Sequence, residues 1–216
     1  MSRPRDPKKL EEVEQAAVRL FARRGYHSTS MREIARELGM NQSSLYHYFK
    51  SKEEILFKLM NDAMDDALLI LEGICASELS PEKKLNKVLG FYTRYYTKEQ
   101  ERETLLVNEM NSLGERAREV LIEKQRRYVH LIRSLLVDLK DAGLMKEIHP
   151  TVAAFAFFGM VHYSIKWYRR DGEVDVEALA QSFVEIFTRG ILGHSEETDT
   201  PGTNVHARVA FGHPRE

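Results

Sequence analysis

Apolar side chains recur with the spacing of an α-helix almost from end to end of this 216-residue chain. Leu10, Val13, Ala17, Leu20 and Phe21 form the first stripe. Asp6-Pro7 opens it as N-cap and first-turn proline, and Gly25 closes it. Ser30-Met-Arg-Glu33 is a capping box ahead of Ile34, Ala35 and Leu38, stopped at Gly39. Asn41 caps a short helix from Gln42 to Tyr48, and a second capping box, Ser51-Lys-Glu-Glu54, opens a long one to about Cys75. Ser80-Pro81 starts the next, to about Thr97, and a shorter helix fits Glu101 to Ser112. After Gly114 a long helix turns Leu121, Tyr128, Leu131, Ile132, Leu135 and Leu139 inward. His149-Pro150 begins the most apolar helix, expected to run to Asp171-Gly172. Asp175 caps the last, with Leu179, Phe183, Ile186, Phe187 and Ile191 on one face and Gly193 at its end. No run alternates with period two for long, so the predicted class is all-α, with nine helices. Residues 195–216 carry no periodicity and read as a disordered tail.

Composition narrows the class. With 43% hydrophobic and 30% charged residues the chain is globular rather than fibrous or disordered. One cysteine, Cys75, excludes a disulfide scaffold and suits a reducing compartment. The first residues lack the apolar core of a secretory signal. The apolar run from Thr151 to Ile165 is shorter than the ~20 residues a membrane span needs. A cytoplasmic location is the expectation.

The net charge of −1 hides an asymmetry. Residues 1–52 hold eleven Lys and Arg against six Asp and Glu, a net of +5, which leaves −6 on the rest. A basic head on an acidic body suits contact with phosphates through the head alone. The same distribution also fits a merely solvated face.

Residues 30–56 read as a helix-turn-helix: a short capped helix, a glycine turn and a second short helix. Ile34, Leu38, Leu45 and Phe49 turn inward against Leu20 and Phe21. Asn41, Gln42, Ser43, Ser44, Tyr46 and His47 are left on an outward surface. Amides and hydroxyls on a short exposed helix are the donors and acceptors that read base edges in a major groove. A solvated polar helix is the competing reading.

The run LFARRGYHSTSMREIARELGMNQSSLYHYFKSKEEIL resembles the N-terminal domain of the TetR family of bacterial repressors over about residues 10–60. That resemblance implies a homodimer, double-stranded operator DNA bound by the head, and a ligand pocket in the body that controls binding. It divides the chain into a DNA-binding domain at 1–52, a ligand-binding and dimerisation domain at 53–194, and the tail. By position in the family pattern, Asn41, Gln42 and Ser43 begin the base-reading helix, and Arg32 and Ser44 contact base or phosphate. Tyr46, His47, Lys52 and Ser30 fall on phosphate contacts. Arg3, Arg5, Lys8 and Lys9 form either a basic arm or a frayed, solvated terminus.

In the body the aromatic residues of helices four to eight are the candidate cavity lining, with Tyr92, Tyr96, Tyr128 and Phe158 foremost. Phe158, His162 and Lys166 are spaced i, i+4, i+8, one line on one face, able to grip an apolar tail and an anionic group. The plainer alternative makes His162 an interface histidine and sends Lys166 to solvent. Residues 165–192 resemble the end of the acyl-CoA-responsive branch of the family, in which a Lys/Arg-Trp-Tyr-Arg run precedes the last helix. Lys166, Trp167, Tyr168 and Arg169 match, while Arg170 replaces the usual proline. The resemblance implies a fatty acyl-CoA effector; a drug or aromatic compound is the alternative. Lys166, Arg169 and Arg170 either hold phosphates or offset the helix dipole. The last two helices, with Val161, Phe183, Ile186 and Phe187, are the expected dimer seam.

An all-helical enzyme is the rival class, but no metal-binding His-Glu-x-x-His, cysteine pair, phosphate loop or nucleophile elbow occurs. The eight histidines lack metal-ligand spacing. No metal and no cofactor beyond a small-molecule effector is expected.

Overall fold

The computed structural model describes residues 6–98 and 100–193, and of residues 101, 103, 106 and 107 only the backbone. Arg3 and Arg5, and the tail at 195–216, lie outside the described residues.

Among the described residues the chain forms nine α-helices. They are α1 (Pro7–Arg24), α2 (Met31–Glu37), α3 (Gln42–Tyr46), α4 (Lys52–Ala76), α5 (Pro81–Lys98), α6 (Gln100–Glu109), α7 (Glu115–Asp141), α8 (Pro150–Tyr163) and α9 (Val176–Ile191). A lone antiparallel bridge between Met145 and Leu192 ties the end of α9 to the α7–α8 loop. None of these helices is long and apolar enough to cross a membrane.

The N-caps read from the sequence are made, but only the first capping box is reciprocal: the Glu54 carboxylate accepts the Lys50 N–H instead of the Ser51 N–H. Asp6 accepts from Lys8 N ahead of Pro7. Ser30 and Glu33 close a reciprocal capping box, and Ser51 accepts from Glu54 N. Gly39 sits at φ +61, a left-handed conformation that a side chain would strain, and so allows the tight turn between α2 and α3.

Helices α1–α3 form the head. Its centre is Leu20, Phe21, Ile34, Leu45 and Phe49, all buried. Burying five side chains of this size supplies roughly 1.5–3 kcal/mol each before chain entropy is charged against it. The apolar core continues from the head through α4 into the body without a gap. There α5 lies against α4, α7, α8 and α9.

Helix α8 ends earlier than the sequence pattern suggests. It stops at Tyr163 and tightens into a 3-10 turn at Ser164–Lys166. Ser164 Oγ donates to the Val161 carbonyl at 2.6 Å, while the Ser164 carbonyl takes the N–H groups of both Trp167 and Tyr168. A serine that hydrogen-bonds its own backbone competes with helix continuation. The straight line through Phe158, His162 and Lys166 is therefore broken before it reaches the lysine.

Candidate DNA interface and effector cavity

The outer surface of the head is polar and open. Asn41, Gln42, Ser43, Tyr46 and His47 are exposed and Ser44 is half-buried, all on α3 or its caps. Asn41 Oδ1 accepts the Ser44 N–H at 2.7 Å, which leaves the Asn41 amide N–H groups to face outward. Gln42 Nε2 reaches Tyr46 Oη at 3.4 Å. Arg32 is exposed on α2 beside them. Ser30 Oγ donates to Glu33 Oε2 at 2.8 Å and its backbone N–H does the same. These two bonds hold the Glu33 carboxyl below the usual carboxylate range. Eight of the nine DNA-contact candidates thus lie exposed or half-buried on α2, α3 or their caps.

The ninth is turned elsewhere. Lys52 Nζ donates to the carbonyls of Tyr26 at 2.7 Å and His27 at 3.3 Å, and stands 4.2 Å over the Tyr26 ring. Desolvation moves its pKa below the usual lysine value. Lys52, expected at a phosphate contact, here ties the α1–α2 turn to the first residue of α4 and stays half-buried rather than fully exposed. Two carbonyls and a ring face offset part of the cost of taking the ammonium out of water.

Beside this tie lies a joint between head and body that has no local sequence signal. Glu53 Oε1 accepts the Gly114 N–H at 2.7 Å. Ser112 Oγ donates to Glu109 Oε2 at 2.7 Å, so the 3.1 Å contact with His27 Nε2 uses the imidazole as donor. These residues lie 61 and 85 positions apart in the chain. Only the packing of α1, α4 and α6 brings them together.

The body holds a cavity of about 430 Å³ between α4, α5, α7 and α8. Tyr92, Tyr96, Tyr128, Phe158 and His162, all expected from the sequence, line it. Tyr95 completes the aromatic wall, and Gln125 and Gly159 lie at its exposed side. No Lys, Arg, Asp or Glu among the described residues lines it. Tyr92 Oη and His162 Nε2 are 2.7 Å apart. The His162 ring stacks on Tyr96 with centroids 4.8 Å apart. Burial lowers the His162 pKa to about 4, so the ring is neutral at physiological pH. That volume and that lining suit one small apolar group with a single polar function.

Lys166 lies outside this lining, exposed on the 3-10 turn. Its neighbours have other partners. Arg169 pairs with Asp171 at 3.0 Å, and Arg170 donates to the Thr97 carbonyl in the last turn of α5. Arg170 therefore offsets the negative end of α5. The grip on an anion by Lys166, expected from helical spacing, is not brought to the cavity.

Three of the four residues expected at a dimer seam face into the protomer. Val161, Phe183 and Phe187 are buried within the protomer. Ile186 is 62% exposed, and Phe155, Tyr163 and Trp167 are exposed with it. Helical spacing alone could not separate the inward from the outward half of an apolar helix.

Residues 15–59 match the family described as bacterial regulatory proteins, tetR family, and residues 78–191 match the tetracyclin repressor-like C-terminal domain. The fatty acid metabolism regulator protein of Bacillus subtilis is 25% identical over 187 residues, 86% of this chain and 96% of its own. A TetR-family regulator from Bordetella parapertussis superposes with a TM-score of 0.76 at 28% identity, over 84% of this chain and 95% of its own. AibR, solved with isovaleryl coenzyme A and operator DNA, superposes with a TM-score of 0.74 at 28% identity, over 82% of this chain and 97% of its own. Two family matches that together run from the head to the end of α9 place the chain among transcriptional regulators rather than enzymes, and it belongs to the TetR family.

Proposed function

We propose that this regulator is a homodimeric repressor that binds a palindromic operator and is released by an acyl-CoA thioester. Residues 1–52 read the DNA and 53–194 form the ligand-binding and dimerisation body. Asn41, Gln42 and Ser43 read base edges, with Arg32 and Ser44 beside them; Ser30, Tyr46 and His47 hold phosphates. Ile186, Phe155, Tyr163 and Trp167 supply the apolar face that a second copy covers.

The observation that carries the effector reading is the uncharged aromatic cavity. Its size and lining suit an acyl group, and a coenzyme A phosphate would have to stay outside it. The names of the B. subtilis relative and of the AibR complex support the same chemistry. A ligand that binds better to one spacing of the two heads shifts the population towards that spacing. Half-sites about one helical turn apart, or a multiple of it, tolerate little change in that spacing.

The test is release of the protein from its operator by octanoyl-CoA in a mobility-shift titration. Release by aromatic drugs with no response to acyl-CoA would instead favour an aromatic effector, which the ring-lined wall also suits.

A further inference from the structure

We infer that the cavity admits its ligand as a neutral carbonyl compound, a thioester or ester, and rejects the free carboxylate, with His162 hydrogen-bonding the carbonyl and Tyr92 positioning His162. This rests on the acyl-thioester reading above.

The argument begins with charge. No basic side chain among the described residues lines the cavity. Three of the bases around the body are engaged elsewhere, Arg94 with Glu177, Arg170 with the Thr97 carbonyl, and Lys124 with Asn61 and Asp65, and Lys166 lies outside the lining. An ionised carboxylate that leaves water for such a site loses its hydration and gains no counter-charge. A thioester carbonyl loses far less and needs only one donor.

His162 supplies that donor. Its ring lines the cavity and is neutral, so it carries one protonated and one bare nitrogen. Tyr92 Oη and His162 Nε2 are 2.7 Å apart; in the inferred arrangement the hydroxyl donates to Nε2, which puts the ring proton on Nδ1, free to meet a ligand carbonyl. Tyr96, stacked at 4.8 Å, and Phe158, at 5.7 Å, fix the ring plane. Tyr92 thus selects the tautomer that offers an N–H to the ligand, much as a buried partner sets the active tautomer of other functional histidines.

The test separates the acyl end from coenzyme A. Octanoyl-N-acetylcysteamine, methyl octanoate and octanoate share one chain and differ at the carbonyl carbon. Calorimetric titration at pH 7.5 is expected to give both neutral compounds an affinity at least ~30-fold above octanoate. His162→Leu should weaken the neutral compounds by about tenfold and narrow that ratio. His162→Gln, which keeps an amide donor, should stay within about threefold of wild type. Tyr92→Phe should narrow the ratio part of the way. Comparable affinity for octanoate in the unmodified protein overturns the inference, and so does an unchanged affinity for the esters in His162→Leu. Binding of octanoyl-CoA alone, with neither small neutral compound bound, overturns it as well while leaving the acyl-CoA reading standing. If none of the four compounds binds, the acyl-thioester reading itself falls. The comparison in the unmodified protein needs no variant to fold.

Discussion

The carboxylate of Glu53 accepts the backbone N–H of Gly114 at 2.7 Å, so the first turn of α4 caps the first turn of α7. Gly114 offers no side chain to do this itself. A carboxylate against a helix N-terminus satisfies one orphan donor and the positive end of the dipole together. The contact also links the helix that follows the reading head to a wall of the effector cavity. A Cβ on residue 114 would stand 3.1 Å from the Glu53 carboxylate, so even alanine would press on the cap.

Removal of that carboxylate is the first test. Glu53→Ala should cost about 1 kcal/mol of stability, the usual worth of an N-cap. For a chain of this length that lowers Tm by roughly 2–4 °C. Differential scanning calorimetry reads it. If the link also carries the effector signal, more ligand is needed to release the operator.

Gln42 and Lys52 should separate in kind. Gln42→Ala is expected to cost roughly 1–3 kcal/mol of discrimination between operator and random DNA, the scale of one good base contact. It should leave thermal stability alone, because the side chain is exposed. Lys52→Ala removes a donor from two backbone carbonyls and should lower stability as well as DNA binding. Parallel melting curves and fluorescence-anisotropy titrations distinguish the two patterns. Equal effects on operator and random DNA by Gln42→Ala would remove it from the base-reading set.

The two halves of α9 should also differ. Ile186→Glu places a charge in the middle of the apolar face and is expected to give monomers in sedimentation at micromolar concentration. Phe183→Ala acts inside the protomer, where Phe183 is buried. It should cost ~3–5 kcal/mol of folding stability. A wild-type protein that sediments as a monomer would refute the dimer.

His162 makes stability depend on pH in a defined window. Its folded pKa of about 4 lies below the ordinary histidine value of about 6.5. The unfolded chain therefore binds the proton more readily, and stability falls as pH drops from about 6.5 towards 4. At pH 5 the loss from this one group is about 2 kcal/mol relative to pH 7.5. Carboxylates titrate in the same range, so the comparison that isolates it is with His162→Leu. Urea unfolding at the two pH values should show a smaller drop in the variant by about that amount.

Much of this architecture is written locally. Period-3.6 stripes, two capping boxes and the glycines at 25 and 39 mark helix after helix, because caps and turns involve residues a few positions apart. The polar skin of α3 and its apolar underside were legible for the same reason: one short helix has two faces, and the residue types differ between them. The aromatic lining of the cavity was legible in outline, through Tyr92, Tyr96, Tyr128, Phe158 and His162.

Tertiary structure decided where two faces looked alike or where the partner was distant. The apolar residues of α8 and α9 cover more than one side, so only packing against α5 and α7 turned Phe183 inward and Ile186 outward. Lys166 left the line of His162 because Ser164 turned its hydroxyl onto the Val161 carbonyl and the helix tightened. Lys52 found two carbonyls 25 and 26 residues away. Glu53 found an N–H 61 residues away. Spacing along a chain determines which side chains share a face of one helix; which carbonyl, ring or N–H that face will meet depends on how the helices cross.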